Sequence, residues 1–334
     1  MSCVEQVQED CGNINPTAVA YMGLNLFSSI SIVLVNKWLF NNMNFKFPTF
    51  LTMLHFAFTF AGLQVCAWCK VFEPKKLDIW RVVRLSSAFC GFVVLTNISL
   101  QLNSVGFYQV MKVLTTPVIA LIELVLYGKV QPGSVIAALS IICVGVIYSS
   151  LTDVELNLPG ALVALLGVLV TSFYQIWVGT EQKDLQANAL QLLYYQAPVS
   201  ALMLMPVIPL LDDTHKLVAF EFSPFSVQLI VASCTVALFV NLSTFLVIGS
   251  TSPISYNVLG HFKLSLVVVG GFLLFNYAVD MRNVAGMGLV FVGVVWYTHL
   301  KLRAQTASKL AEQERRSLLP STPRENQEKE EENV

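Results

Sequence analysis

Long apolar runs separated by short polar stretches form the main pattern of this chain. A run of about twenty apolar residues is the length that crosses the ~30 Å hydrocarbon core of a bilayer as a helix. Ten runs of this kind occur, at residues 17–36, 50–69, 83–102, 105–126, 135–151, 159–178, 190–211, 225–248, 254–275 and 284–300. The pattern therefore predicts an all-α membrane protein with ten transmembrane helices.

The two halves of the chain match one another at several positions. A shift of 148 residues places Tyr108 on Tyr256 and Gly145 on Gly293. Each half holds five predicted spans, and an odd number of spans forces the second half to insert upside down. The sequence thus predicts two inverted five-helix repeats, the architecture of many secondary transporters, in which the substrate site lies between the repeats.

Charged residues outside the spans predict the topology. Lysine and arginine are concentrated in the connections on the side of both termini, which places both termini in the cytosol. The predicted organisation is a cytosolic segment at 1–16, repeats at 17–151 and 152–303, and a disordered cytosolic tail at 304–334. In that tail, Glu314, Leu318 and Leu319 fit an acidic dileucine pattern that sorting adaptors recognise.

Composition narrows the class of protein. Hydrophobic residues make up 55% of the chain and charged residues 12%, too few to cover a soluble surface of this size. The net charge of −1 indicates no nucleic-acid partner. We find no paired carboxylates, no metal-ligand cluster and no nucleophile with a base at workable spacing, so the sequence predicts neither a cofactor nor an enzyme.

Two lysines, Lys112 and Lys263, lie well inside apolar runs. A charged side chain in hydrocarbon costs several kcal/mol, about 3 on insertion scales, and so indicates function. Two cations facing a polar cavity favour an anionic, phosphate-containing small-molecule substrate. The alternatives are snorkelling to the headgroups or pairing with an internal carboxylate. Glu123 is a further charge inside a predicted span, and the alternatives for it are a gate partner, a proton site or an interfacial ion pair.

Neutral polar and aromatic residues also occur deep in the predicted spans. Because an unpaired polar group in a bilayer is costly, these side chains should face one another or a wet cavity. Interhelical hydrogen bonding is the alternative for each of them. The candidates for substrate contact, besides the two lysines, are Thr96, Asn97, Tyr108, Gln109, Tyr195, Asn241 and Tyr256.

Three segments resemble a known family of carriers. NLSTFLVIGSTSPISYNVLGHFK, residues 241–263, is similar to the eighth and ninth helices of plant nucleotide-sugar transporters. SVGFYQVMK and QLLYYQAP resemble the corresponding parts of the fourth and seventh helices. The chain is thereby identified as a member of the drug/metabolite transporter superfamily, in the branch of triose-phosphate translocators and nucleotide-sugar transporters that includes subgroup E of solute carrier family 35.

The resemblance implies roles for particular residues. Lys112 and Lys263 match the lysines that bind phosphate in the translocators, and Thr96 matches a polar position on their third helix. The translocators have an arginine after the second lysine, where this chain has Leu264. Nucleotide-sugar carriers of the related group have threonine there, so neither pattern is complete.

Taken together, these features predict a Golgi or related endomembrane antiporter that exchanges a nucleotide sugar, with UDP-sugars favoured, for a nucleoside monophosphate. Exchange of a phosphorylated sugar or organic phosphate for phosphate is the alternative within transport. A multi-pass membrane enzyme and a non-transporting scaffold are alternatives of other classes. The scaffold would not need the buried lysines, and the enzyme lacks a recognisable catalytic set.

Overall fold

A computed structural model describes residues 16–103, 105–150, 158–263 and 281–318 of the chain. Within these ranges, some side chains lie outside the description, among them those of 105–110 and of 312–318. Over the described residues the chain is helical and contains no strand. The structure therefore agrees with the all-α class predicted from the apolar runs.

The long helices are numbered in chain order. They are α1 (Pro16–Asn42), α2 (Pro48–Trp68), α3 (Ile79–Leu102), α4 (Val105–Tyr127), α5 (Gly133–Ser150), α6 (Leu158–Asp184), α7 (Ala189–Leu204), α8 (Pro224–Ser250), α9 (described over 253–263) and α10 (Met281–Leu318). A 3₁₀ turn at Met205–Val207, a helical turn at Ile208–Leu211 and a short helix at Thr214–Val218 join α7 to α8. Where their residues are described, the predicted apolar runs lie on these helices, with two departures: the run 190–211 continues beyond α7 through the 3₁₀ turn and the helical turn, and the run 50–69 extends one residue beyond α2.

Six helices of the described chain are long and apolar enough to cross a membrane. They are α1, α2, α3 as far as Ser99, α6, α7 extended to Leu211, and α8. Gly133–Tyr148 in α5 and Val284–Leu300 in α10 are shorter apolar helices. These lengths and compositions indicate a multi-pass membrane protein.

Side-chain caps determine where two of the helices begin. The backbone N–H groups of Thr49 and Phe50, in the first turn of α2, donate to the carboxylate of Asp212 over 3.3 and 2.7 Å. At the start of α7, Asn188 and Gln191 form a capping box, with reciprocal bonds of 2.8 and 3.0 Å. Such caps satisfy amide groups that have no partner inside the helix. Asp212 also ties the start of α2 to the segment that follows α7.

Aromatic and aliphatic side chains of α2, α3, α6, α7 and α8 form one apolar core. The rings of Phe56 and Phe89 lie 4.4 Å apart, and those of Phe89 and Tyr174 lie 5.5 Å apart. Lipid tails are as apolar as these side chains, so close packing and interhelical hydrogen bonds hold such a bundle together. Among the described residues, the most extensive helix pairs are α1 with α8 and α3 with α6.

Glycines allow α5 and α10 to approach closely. A Cβ atom added at Gly145 would lie 2.7 Å from the carbonyl oxygen of Gly286, and one added at Gly293 would lie 3.1 Å from that of Ala138. Both glycines are therefore needed for the observed separation. A shift of 148 residues converts one contact into the other, since it relates Gly145 to Gly293 and Ala138 to Gly286.

The last helix is longer than the sequence predicted. α10 continues to Leu318, whereas 304–334 was expected to be a disordered tail. Residues 304–318 are rich in alanine, glutamate, glutamine, arginine and leucine, and these good helix formers keep a polar segment helical. The described residues from 16 to 294 belong to one compact unit, and the part of α10 from 295 onwards belongs to a second unit.

Candidate functional site

A cavity of about 470 Å³ opens between α1, α3, α4, α6 and α9. Both lysines that the sequence singled out, Lys112 from α4 and Lys263 from α9, line it. The other polar residues of its wall are Ser29, Thr96, Ser99, Thr115, Thr171, Gln175, Tyr256 and Asn257. No aspartate or glutamate is among the described residues that line this cavity. Within the described part of the chain, the cavity therefore presents two cations without a counter-charge.

Lys263 is held by neutral groups. Its ammonium donates to Oδ1 of Asn25 over 2.9 Å and to Oγ of Ser29 over 3.1 Å, both on α1. The nitrogen also lies 5.5 Å from the centre of the ring of Tyr256, in a cation–π contact. Tyr256 precedes Lys263 by about two turns of α9. These contacts orient the charge but leave it uncompensated.

Lys112 is less constrained than Lys263. It lines the cavity as an exposed residue, and no hydrogen bond or ion pair joins its ammonium to the described part of the chain. The next turn of α4 is tied to α9, because Thr116 and the buried His261 are hydrogen-bonded at 2.9 Å. An ammonium carries three donors, and none of those of Lys112 is used by the described residues.

An amide pair joins α6 and α9 at the cavity wall. Nδ2 of Asn257 donates to Oε1 of Gln175 and, over 3.0 Å, to the carbonyl of Pro253. Both hydrogens of the Asn257 amide are therefore used. The Nε2 group of Gln175 and Oδ1 of Asn257 remain to serve as donor and acceptor for a ligand.

The structure brings four of the predicted contact residues to the cavity: Lys112, Lys263, Thr96 and Tyr256. Tyr108 and Gln109 lie on α4 in the stretch whose side chains are not described. Leu264 and Leu319 lie outside the described residues, as do the side chains of Glu314 and Leu318.

Three other candidates do not line this cavity. Asn97 follows Thr96 on α3, and one residue turns a helix by about 100°, away from the cavity face. Asn241 donates to Oγ1 of Thr59 over 3.1 Å and so links α8 to α2. Tyr195 packs edge-to-face on Tyr194 at 5.2 Å. For Asn241 the structure supports the alternative interpretation, an interhelical hydrogen bond.

Sequence reasoning missed Asn25, Ser29, Gln175 and Asn257. All four are polar residues inside apolar runs, which is the signal that identified Thr96 and Asn241. That signal was available, but it does not tell which polar residues share one cavity. Asn25, at 0% exposure, is the most deeply buried of the four.

Carboxylates of the described helices pair away from the cavity. Glu123 accepts from Lys129 over 3.3 Å, which matches the ion-pair alternative for this residue. Glu181 of α6, only 2% exposed, binds Arg81 at 3.1 Å and also Arg84 of α3. The two pairs of Glu181 join α3 to α6 and do not involve Lys112 or Lys263.

A family model and individual relatives both match this chain over most of its length. Residues 17–298 match the model of the Triose-phosphate Transporter family. UDP-xylose transporter 2 of Arabidopsis thaliana is 37% identical over 284 residues, which cover 84% of this chain and 80% of that protein. UDP-rhamnose/UDP-galactose transporter 2 of the same plant is 34% identical over 304 residues, covering 88% and 87%.

A solved crystal structure shares the fold. It is 13% identical, superimposes with a TM-score of 0.71, and the match covers 87% of this chain and 99% of that one. At this identity the likeness concerns the fold alone, whereas the family match spans the cavity and both lysines. The chain belongs to the Triose-phosphate Transporter family and is a membrane transporter, not an enzyme.

Proposed function

We propose that this protein is an endomembrane antiporter, of the Golgi or a related compartment. It exchanges a nucleotide sugar, with UDP-sugars favoured, for a nucleoside monophosphate by alternating access. Lys112 and Lys263 bind the phosphates, and Thr96 and Tyr256 contribute to the same site. Tyr108 and Gln109, one turn before Lys112 on α4, remain predicted members of it.

The observation that carries this proposal is the pair of uncompensated lysines in one cavity. Two ammonium groups held in a bundle without a neighbouring carboxylate attract a polyanion. A diphosphate matches two compact point charges, each with several donors. Substrate binding would also relieve the repulsion between the two cations.

The remaining wall of the cavity suits the rest of a nucleotide sugar. Its volume of about 470 Å³ lies within the ~300–1,000 Å³ range of small-molecule sites. Tyr256 offers a ring face for a base or sugar, while Gln175 and Asn257 offer a donor and an acceptor. The relatives named above as UDP-sugar transporters support the same substrate class.

Helix packing supports the inverted repeat on which alternating access depends. The repeat relates α1 to α6 and α3 to α8, so the pair α1–α8 corresponds to the pair α6–α3, and these are the two most extensive pairs. The reciprocal glycine contacts of α5 and α10 fit the same relation. Ten crossings and cytosolic termini, predicted from the apolar runs and from the lysine and arginine bias, complete the proposal.

The family's own description favours a second candidate, exchange of a phosphorylated sugar or organic phosphate for phosphate. Such a substrate would use the same lysines, and its sugar could also contact Tyr256, but it offers no nucleobase to the rest of the wall. The nucleotide sugar engages both parts of the wall, so we place it first.

Uptake into proteoliposomes tests the proposed exchange. Vesicles loaded with UMP are expected to take up UDP-xylose, UDP-galactose or another UDP-sugar at least about tenfold faster than empty vesicles, because the unoccupied, doubly cationic site reorients poorly. Equal uptake by loaded and empty vesicles would contradict exchange. Uptake of a phosphorylated sugar into phosphate-loaded vesicles, without uptake of UDP-sugars into UMP-loaded vesicles, would favour the second candidate.

A further inference from the structure

We propose that Asn25 is a positioning residue that orients Lys263 toward the substrate and keeps its charge free for it. Asn25 lies on α1, is completely buried, and contacts Lys263 through its side-chain oxygen at 2.9 Å. The inference rests on the proposed function, because it assigns Asn25 a role in binding the same phosphate-containing substrate.

The polarity of the hydrogen bonds fixes the orientation of the Asn25 amide. On α8, the hydroxyl groups of Ser243 and Thr244 donate to the carbonyl of Val240 over 3.1 and 2.8 Å. Having used their protons, both hydroxyl oxygens act as acceptors toward Nδ2 of Asn25, at 2.9 and 3.3 Å. The amide nitrogen must therefore face α8, and the amide oxygen must face Lys263.

A neutral amide is well suited to this position. It accepts one bond from the ammonium and leaves the charge of Lys263 uncompensated, so the substrate supplies the counter-charge. An aspartate here would have nearly the same shape but would pair with Lys263 and remove about half of the positive charge of the cavity wall. The Asn25 oxygen orients the cation, whereas a carboxylate would compete with the substrate for it.

The same contacts connect three helices to the bound substrate. Asn25 is on α1, its two hydroxyl acceptors are on α8, and Lys263 is on α9. A shift of α1 against α8 would move the acceptor of Lys263, so the position of the cation depends on that helix pair. Lys112, without a described partner, has no equivalent constraint.

Two measurements on purified protein test the role of Asn25. The first is the rate at which acetic anhydride acetylates Lys263 in the absence of substrate, followed by mass spectrometry. This rate depends on the groups around the amine. Because acetylation requires the neutral amine, Asn25→Ala is expected to raise the rate and Asn25→Asp to lower it. Affinity for UMP, from the thermal shift of the protein in detergent, is expected to fall about tenfold for Asn25→Ala and further for Asn25→Asp.

A double-mutant cycle separates positioning from packing. In a Lys263→Gln background, Asn25→Ala is expected to change UMP affinity less than about twofold, since its effect acts through the lysine. Asn36→Ala is the matched control, because Asn36 also lies on α1 and accepts a bond from a serine of α8, Ser233, at 2.5 Å. Asn36 is bonded to Ser233, whereas Asn25 is bonded to Lys263, so replacing Asn36 should alter neither acetylation nor affinity.

The outcomes distinguish this inference from the proposed function. Unchanged acetylation and UMP affinity in both Asn25 variants, or an equal loss of affinity in the Lys263→Gln background, would overturn the positioning role. If wild-type protein does not bind UMP while acetylation responds to Asn25 as expected, the substrate proposed above is wrong and the positioning of Lys263 stands. Asn25→Asp preserves the shape of the side chain and so serves if Asn25→Ala does not fold.

Discussion

The two lysines of the cavity differ in how firmly the protein holds them. Lys263 is bonded to Asn25 and Ser29 and lies against Tyr256, whereas Lys112 has no hydrogen-bond partner within the described residues. Within the described residues, one cation is thus held before substrate arrives and the other is not. This division suits a carrier, which must bind its substrate and also release it on the other side of the membrane.

Replacing either lysine by glutamine should abolish exchange while the protein still folds. Loss of a charge-assisted bond to phosphate weakens binding by on the order of 10- to 100-fold for each lysine. The free energy of unfolding should stay the same or rise, because removing a charge from the bundle removes its desolvation penalty. Uptake by proteoliposomes and thermal unfolding in detergent measure the two effects.

Lys216→Gln is the control for this pair of variants. Lys216 forms its ion pair with Asp213 at 2.8 Å in the connection between α7 and α8, and its side chain is 78% exposed. Transport should be unaffected by its loss. Wild-type exchange by both Lys112→Gln and Lys263→Gln would remove the basis of the proposed site.

The two lysines could be predicted from the sequence because they are charged. The residues around them are neutral and could not be distinguished in this way. An ammonium in an apolar run has few explanations, so Lys112 and Lys263 were found directly. A neutral residue such as Asn25 or Asn241 fits a cavity and an interhelical bond equally well. The rotation of the helix about its axis determines whether such a residue faces the cavity or a neighbouring helix. Neighbours such as Thr96 and Asn97 point in directions about 100° apart around that axis.

At the scale of helices, the glycines of α5 and α10 give a sharp test of packing. Gly145→Ala places a methyl group 2.7 Å from the Gly286 carbonyl, so backbone must move, at a cost of about 1–3 kcal/mol. Gly293→Ala should cost less, because its nearest contact, at 2.7 Å, is with the side chain of Ile142 and the backbone atoms lie at 3.1 Å. Gly288→Ala on α10, where a Cβ meets nothing within 4 Å, should be neutral or stabilising through helix propensity, by up to about 1 kcal/mol.

Thermal unfolding of the three glycine variants in one detergent checks this expectation. All three variants gain the same helix propensity, so the difference between their unfolding temperatures reports the cost of the close contact between α5 and α10. Equal unfolding temperatures for Gly145→Ala and Gly288→Ala would contradict the contact between α5 and α10.

The helices themselves were largely predictable, because a run of about twenty apolar residues has few other stable states in a membrane. The predicted 105–126 and the observed Val105–Tyr127 agree closely. The end of α10 was not predicted, since low apolar content there was read as disorder. Helix propensity is independent of hydrophobicity, and residues 304–318 combine good helix formers with the absence of proline and glycine.

For the whole molecule, the arrangement of helices suggests how the site changes its exposure. The pairs α1–α8 and α3–α6 each join one helix of the first predicted repeat to one of the second. The cavity draws on three of these four helices and on α4 and α9, which carry the lysines. Rocking one repeat against the other would open the cavity first to one side of the membrane and then to the other.

The size of the anion should decide which substrate fits this carrier. A triose phosphate offers little beyond its phosphate, so a site that selects it benefits from a third, bidentate cation. This chain has Leu264 where the resemblance gives the translocators an arginine, and no arginine is among the described residues that line the cavity. A nucleotide distributes its affinity over phosphates, ribose and base, for which two lysines, Tyr256 and the Gln175–Asn257 pair suffice.

Inhibition of UDP-sugar uptake by different anions therefore ranks their affinities for the site. UMP should inhibit at a concentration at least about tenfold below that of a triose phosphate or inorganic phosphate, because these lack the groups that the amide pair and the aromatic ring would bind. Asn257→Ala should weaken inhibition by UMP and leave that by inorganic phosphate unchanged, which separates base and sugar contacts from phosphate contacts. Inhibition by triose phosphate equal to that by UMP would instead make phosphorylated-sugar exchange the function of this transporter.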